Sequence, residues 1–247
     1  MTLYQRLLVQ IGEDICAGRY RPGDVIPVEP LLCEQYGVSR VVVREAIKGL
    51  AAKGMVATRR KTGTVVLDVS RWNLFDPDVM AWRVRMTGVD PKFAADLAEL
   101  RRIVEPAAGR LAAQHASAAQ RKAIDDAYQA MARAVAGDGD YIAADLAFHR
   151  EILDACDNQF VRQMQDAISV VLRTTFQVVT QVPGGAAASL PLHLALCKAI
   201  QDQDPDAAER AVHAVLEQAE ADLRRQVSAK RRSAGKKLPK GKTGARA

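Results

Sequence analysis

From Ser39 to Val66 the spacing of apolar residues changes period abruptly, and this change restricts the possible folds more than any other feature of the chain. Val43, Ala46, Ile47 and Leu50 recur at helical spacing, which predicts a helix from Arg40 to about Lys53 with Ser39 placed to cap it. After Gly54 come "MVATRR" and "TVVLDV", two short β-prone runs flanking "KTG", a turn signal of the hairpin kind. Upstream, Leu3, Leu7, Ile11 and Ile15 mark a first helix that "AGRYRPGD" ends. A second, shorter helix fits Pro30 to Tyr36 and stops at Gly37. Helix, helix, turn, helix and hairpin is the order of a winged helix-turn-helix domain, here over residues 1–68.

The next segment, 69–91, contains "RWNLFDPDVMAW", is rich in turn formers and holds both tryptophans. Two exposed tryptophans in a free linker would be unusual, so the segment reads as a linker that docks on one or both neighbours. Further helices are expected at about 92–114, 117–136, 138–155, 158–180, 189–202 and 205–227, with "QVPGGAAASLP" as the long break between them. Their natural packing is an all-α bundle over 92–227. The remainder, 228–247, lacks periodicity, and its Lys, Gly and Pro content predicts a disordered basic tail. The fold class is thus mostly α, a winged helix-turn-helix with a small β-hairpin wing followed by a helical bundle.

Alanine is abundant and aromatics are few, which favours helices over a large sheet. The net charge of +6 is unevenly spread, at +4 over 1–66, −6 over 67–227 and +8 over 228–247. A basic N-terminal unit ahead of an acidic body points to a polyanion as partner of the first unit. The tail either adds non-specific phosphate contacts or is a solubilising end. Cys16, Cys33, Cys156 and Cys197 are scattered, without C-x-x-C spacing, and are expected to be reduced in a cytoplasmic protein. There is no signal-peptide pattern, and no apolar run reaches the roughly 18 residues of a membrane helix, so neither export nor membrane insertion is expected.

On the third helix, the side opposite the apolar face carries Arg40, Arg44 and Lys48, each four residues apart, together with Val41. Guanidinium forks in this arrangement reach guanine edges or phosphates in a major groove. The hairpin adds Arg59, Arg60, Lys61 and Thr62 beside Gly63, where the backbone can approach a phosphate closely. In the second half, "AADLAFHREIL" read as a helix puts Asp145 and His149 on the same stripe as Ile142, Leu146, Leu153 and Cys156. Burying an unpaired carboxylate is expensive, so a metal ion, a ligand or other buried polar groups must satisfy the pair. Asp145 and His149, one turn apart, can hold one ion, and His193 lies with Leu196, Cys197 and Ile200 on the apolar face of a later helix.

The stretch "GRYRPGDVIPVEPLLCEQYGVSRVVVREAIKGLAAKGMVATRRKTGTVV" resembles the winged-helix domain of GntR-type bacterial transcription regulators almost end to end. The resemblance implies that Arg40, Arg44 and the wing around Gly63 contact operator DNA, whereas Pro30 stands where many relatives have an arginine. "ELRRIVEPAAGRLAA", "DLAFHREILDACDNQF" and "LHLALCKAIQDQDPDAAERA" resemble the FCD ligand-binding domain of the FadR subfamily, a helical bundle. It implies an effector pocket and a divalent metal of the Zn, Ni, Mn or Ca class held by an aspartate and three histidines. Asp145, His149 and His193 match three of these. The fourth falls on Val215, within the apolar arc of Ala208, Val212, Leu216 and Ala219, while His213 lies more than about 100° from its centre. Water or effector oxygens would then complete the shell, or the site is not metallated. Arg101 is the candidate for an effector carboxylate, the alternative being an ion pair with Glu105, and Ser189 is a candidate hydroxyl donor. "RWNLFDPDVMAW" and the opening "MTLYQR" resemble galactonate-catabolism regulators of this subfamily.

Together these readings describe a homodimeric regulator of palindromic operator DNA, a repressor of a sugar-acid operon released by a small carboxylate. A different small carboxylate is the alternative effector. A metal-dependent hydrolase is disfavoured because no nucleophile or general-base constellation accompanies the site. A bundle serving dimerisation alone, with its polar residues in a closed hydrogen-bond network, is the third alternative.

Overall fold

In the computed structural model, which describes residues 1–88, 91–164, 169 and 184–235, the chain forms two compact units. One centres on Met1–Asp96, the other on Leu97–Val161 and the C-terminal helices. Helix α1 (Leu3–Cys16) starts from a reciprocal cap, in which Thr2 Oγ1 accepts from the Gln5 amide and Gln5 Oε1 accepts from the Thr2 amide. Helix α2 (Glu29–Tyr36) has Pro30 in its first turn and ends at Gly37, whose φ of 63° requires the left-handed conformation glycine adopts readily. Ser39 then caps α3 (Arg40–Ala52) by accepting from the Val42 amide. The apolar face of α3 is fully buried at Val43, Ala46 and Leu50, against a core that includes Leu7, Ile11 and Ile15 of α1.

Strands β1 (Val56–Arg59) and β2 (Gly63–Val66) pair antiparallel, with Val56 opposite Val66 and Arg59 opposite Gly63. Gly63 has φ of 90°, which closes the turn. Val25 bridges to Val65 from the loop before α2, so the wing is anchored on its inner edge.

The segment expected to be a docking linker, 69–91, carries ordered secondary structure. Helix α4 (Pro77–Thr87) follows a short 3-10 turn at Val69–Arg71. The turn formers in "FDPDVM" are a helix start: Asp76 accepts from the amides of Asp78 and Val79, and Pro77 occupies the first position. Both tryptophans belong to the core of this unit, and a Cβ built on Gly12 would stand 2.3 Å from the Trp82 ring. Only glycine lets α1 and Trp82 approach this closely. Lys53 fastens the same segment with ion pairs of 2.8 Å to Asp76 and Asp78. Asp76→Ala is expected to lower the stability of this unit by about 1–2 kcal/mol in chemical denaturation, mainly through the lost cap. A change below a few tenths would mean that α4 is held by Trp82 alone.

The second unit contains α5 (Pro91–His115) from Leu97 onward, α6 (Ala118–Val135), α7 (Tyr141–Ala155), α8 (Gly185–Gln201) and α9 (Pro205–Gly235). Its core gathers Ile124, Met131, Phe148, Ile152, Leu196 and Ile200 among small residues such as Ala112 and Ala208. A Cβ on Gly109 would come within 2.7 Å of Val212, so α5 and α9 pack closely there. Of the helix expected over 158–180, residues 159–164 are helical and most of the rest lies outside the described residues. Helix α8 begins at Gly185 rather than near 189. Helix α9 continues to Gly235, past the boundary expected at 227, because the Gln, Ala, Lys and Arg residues there are good helix formers and extend a helix already nucleated. The tail beyond it, 236–247, lies outside the described residues. Among the described residues no helix is long and apolar enough to cross a membrane.

Candidate nucleic-acid interface and buried ligand site

In the first unit the cationic residues of α3 are exposed, and Val41 stands out from the helix at 69% exposure. Arg44 Nε lies 2.9 Å from both carboxylate oxygens of Glu29, and Lys48 Nζ is 2.8 Å from Glu45. Glu29 therefore holds Arg44 through Nε, and neither terminal nitrogen takes part in those two hydrogen bonds. Arg40, Arg59 and Lys61 have no ion pair among the described residues. An open groove runs between α2, α3 and the wing, lined by Glu29, Arg44, Lys48, Thr58 and Gly63. Recognition helix and wing thus share one surface. Ser39 points its hydroxyl at its own helix, and Thr62 is exposed at the hairpin tip.

In the second unit Asp145, His149 and His193 are all buried, and their potential ligand atoms lie within 4.8 Å of one another. Helix α7 supplies the first two, one turn apart, and α8 supplies the third. Phe148 packs edge-on against both imidazoles, with ring centroids 5.9 and 5.4 Å away, and excludes water from that side. His193 Nδ1 is 2.9 Å from the Ser189 carbonyl and 3.1 Å from the Ser189 hydroxyl. A carbonyl only accepts, so Nδ1 carries the proton and Nε2 keeps a lone pair. That Nε2 stands 3.1 Å from Asp145 Oδ1 without forming a hydrogen bond, and Asp145 Oδ2 is likewise buried without a partner. His149 Nε2 is 3.9 Å from Oδ2 of the same carboxylate. Its Nδ1 faces Glu105 Oε2 at 3.8 Å, too long for a hydrogen bond but close enough for the carboxylate to favour a proton there.

The charge states agree with this geometry. Burial is the largest influence on the Asp145 carboxyl and opposes ionisation, yet His193, His149 and Arg101 outweigh it and hold the group below the usual range. Glu105 is also buried and is held below its usual range by Arg101 and His149. Burial pushes His149 down, against the pull of Asp145 and Glu105. A carboxylate and two imidazoles whose potential ligand atoms lie within 4.8 Å of one another are a donor set that a divalent metal would accept. The two orphaned buried atoms, His193 Nε2 and Asp145 Oδ2, are what such an ion would satisfy.

Arg101 forms the ion pair foreseen as the alternative, with Nε 2.5 Å and Nη2 3.2 Å from the Glu105 carboxylate. It also lines the pocket that opens beside the cluster, together with Tyr141, Asp145, His149 and His193. Ser189 lines the pocket as well, although its polar atoms serve His193. Val215 is buried on the pocket wall and His213 is exposed, as the helical arc requires. Sequence reasoning missed Glu29 as the partner of Arg44, Glu105 as the neighbour that orients His149, and the pocket residues Tyr141 and Asp222. For Glu105 the signal was present, since an acid on the buried face of α5 needs a second use besides Arg101.

A winged helix with an exposed cationic reading face, joined in one chain to a helical unit with a buried polar pocket, defines a DNA-binding transcription regulator. Residues 3–66 match the gntR family of bacterial regulatory proteins and residues 96–218 match the FCD domain, and the chain belongs to this family. It is 34% identical to the galactonate operon transcriptional repressor of Escherichia coli (strain K12), over 85% of this chain and 93% of that protein. It is 35% identical to YieP, an uncharacterized HTH-type transcriptional regulator of the same organism, over 85% of this chain and 90% of the other. Among solved structures, one from Listeria monocytogenes, described as Lar, which controls expression of the agr system and mediates virulence, has a TM-score of 0.65. At 19% identity it covers 91% of this chain and 98% of its own. These relatives are regulators rather than enzymes, and regulators of this family bind operator DNA.

Proposed function

We propose that this protein is a homodimeric repressor of a sugar-acid catabolic operon whose hold on a palindromic operator is released by a small, galactonate-like carboxylate. The winged-helix unit, 1–68, reads DNA through Arg40, Val41, Arg44 and Lys48 on α3, with Ser39, Arg59, Lys61, Thr62 and Gly63 meeting the backbone. The helical unit, 92–227, binds the effector and forms the dimer. One observation carries the sensing role: two buried imidazoles and the Asp145 carboxylate bring their potential ligand atoms within 4.8 Å of one another, and His193 Nε2 and Asp145 Oδ2 are buried there without a hydrogen-bond partner. Asp145, His149 and His193 would hold a divalent ion, and Arg101 would meet the effector carboxylate with the donors that Glu105 does not occupy. When bound, the ion supplies positive charge and coordination positions open to a hydroxy acid's oxygens.

An effector changes operator affinity only by its differential affinity for two dimer geometries, one of which places the α3 helices in successive major grooves. The test is a DNA-shift assay on the protein's own upstream region, titrated with galactonate, gluconate and other sugar acids, with and without a chelator. Release by a sugar acid that the chelator abolishes is the expected result. No release by any of them with metal present overturns the assignment. On the reading face, Arg44→Ala is expected to weaken specific binding by about 1–3 kcal/mol and binding to random duplex much less. Equal losses on both would make Arg44 a backbone contact.

A further inference from the structure

Asp222 is a buried carboxylate that the reading above does not use. It sits on α9 at 4% exposure and lines the same pocket as Arg101 and Asp145. Both of its hydrogen-bond partners come from its own helix: Gln218 Nε2 donates to Oδ2 at 3.1 Å and Arg225 Nη1 to Oδ1 at 3.2 Å. A carboxylate offers about four acceptor positions, so Asp222 has capacity left for whatever fills the pocket. Val215, Ala219 and Asp222 follow one another along the pocket-facing side of α9, and seven residues of helix span about 10 Å. Tyr141, at the start of α7, adds a phenol to the same lining.

The chemistry of these groups defines the ligand end that fits them. An apolar tail against Asp222 would desolvate its remaining acceptor positions without supplying donors for them, which is unfavourable. An ammonium group is not demanded either, because Arg225 already balances the charge of Asp222. Hydroxyl groups satisfy both conditions: they donate to the open acceptor positions and bring no charge. We propose that Asp222 is the specificity determinant of the pocket, accepting hydrogen bonds from hydroxyls remote from the effector's carboxylate, so that the ligand class is a polyhydroxylated carboxylate. The assignment rests on reading this pocket as a carboxylate-effector site.

The test uses the full chain loaded with metal, with binding followed by calorimetry and by release from the operator. The probes are galactonate, gluconate, lactate as a short hydroxy acid, hexanoate as a chain without hydroxyls, and 6-aminohexanoate. Wild-type protein is expected to prefer an aldonate over lactate, hexanoate and 6-aminohexanoate. Asp222→Leu should lose about 10- to 100-fold in aldonate affinity with lactate binding unchanged, the range for removing a hydrogen bond to a charged group. Asp222→Asn, nearly the same in shape, should fall between the two and carries the test if the leucine variant does not fold. Metal-induced thermal stabilisation in both variants reports an intact bundle. Unchanged aldonate affinity in both variants, or a wild-type preference for hexanoate or 6-aminohexanoate, overturns the assignment of Asp222 while leaving the effector site standing. A wild-type protein that binds none of these acids overturns the effector reading of the pocket, and this assignment with it.

Discussion

Replacing Asp145 by asparagine is expected to abolish stabilisation by divalent ions and, with a chelator present, to leave the protein more stable by about 1 kcal/mol. Without an ion, the wild-type cluster confronts a lone pair on His193 Nε2 with a carboxylate oxygen 3.1 Å away and leaves Oδ2 without a donor. A buried, unsatisfied polar group costs about 1–3 kcal/mol. Asparagine keeps the volume, removes the charge and offers an amide donor to Nε2. Some of the gain is offset by the lost attraction to Arg101, so the net change is the lower end of that range. Its metal response differs more: at an ion concentration of about 100 times Kd, wild-type protein gains about 2.7 kcal/mol, and the variant gains nothing measurable. Denaturation curves with chelator and with metal measure both quantities. If the cluster were a closed hydrogen-bond network, with Nε2 protonated and donating to Asp145, the variant would instead be destabilised in chelator by a kilocalorie or more.

What the sequence disclosed and what it concealed follow from the range of the forces involved. Ser39, Gly37 and the change of period after Gly54 act within a few residues of one another, and the helices and hairpin they specify stand where local rules place them. Asp76 and Pro77 obey equally local rules, yet turn formers beside two tryptophans read as a docking linker, and the helix that packs Trp82 on Gly12 is not marked by any apolar period of its own. Asp145, His149 and His193 were legible because polar residues on apolar faces contradict the pattern around them. The same reasoning separated Val215 from His213. The Arg101–Glu105 pair was one of two open readings, since one helical turn fixes the reach of both side chains. The contacts of Glu29 with Arg44 and of Glu105 with His149 join different helices, and no periodicity reports such a meeting. Asp222 was hidden for a related reason: on α9 its neighbours are Ala219 and Arg225, and only the pocket shows which way it faces.

Val215→His is expected to tighten divalent-ion binding by about 10-fold or more and to blunt the response to effector. Val215 is 3% exposed on the wall of the pocket that Asp145, His149 and His193 also line. An imidazole at this position brings a fourth protein donor to a site that otherwise relies on water or effector oxygens to complete its shell. The same substitution puts a larger, polar ring among buried residues, so the metal-free variant should lose about 1–3 kcal/mol of stability. Opposite signs with and without metal are the signature, because general damage to the bundle lowers stability in both conditions. His213→Ala is the control: the residue is exposed on the same helix, and neither metal affinity nor effector response should move. A fourth fixed ligand also occupies a coordination position that an effector's hydroxyl or carboxylate would use, so a tighter ion and a weaker response should appear together. Tighter metal with an undiminished effector response would place the effector away from the ion, held by Arg101 and the polar wall of the pocket. No gain in metal affinity would mean that the three donors do not converge on an ion at all.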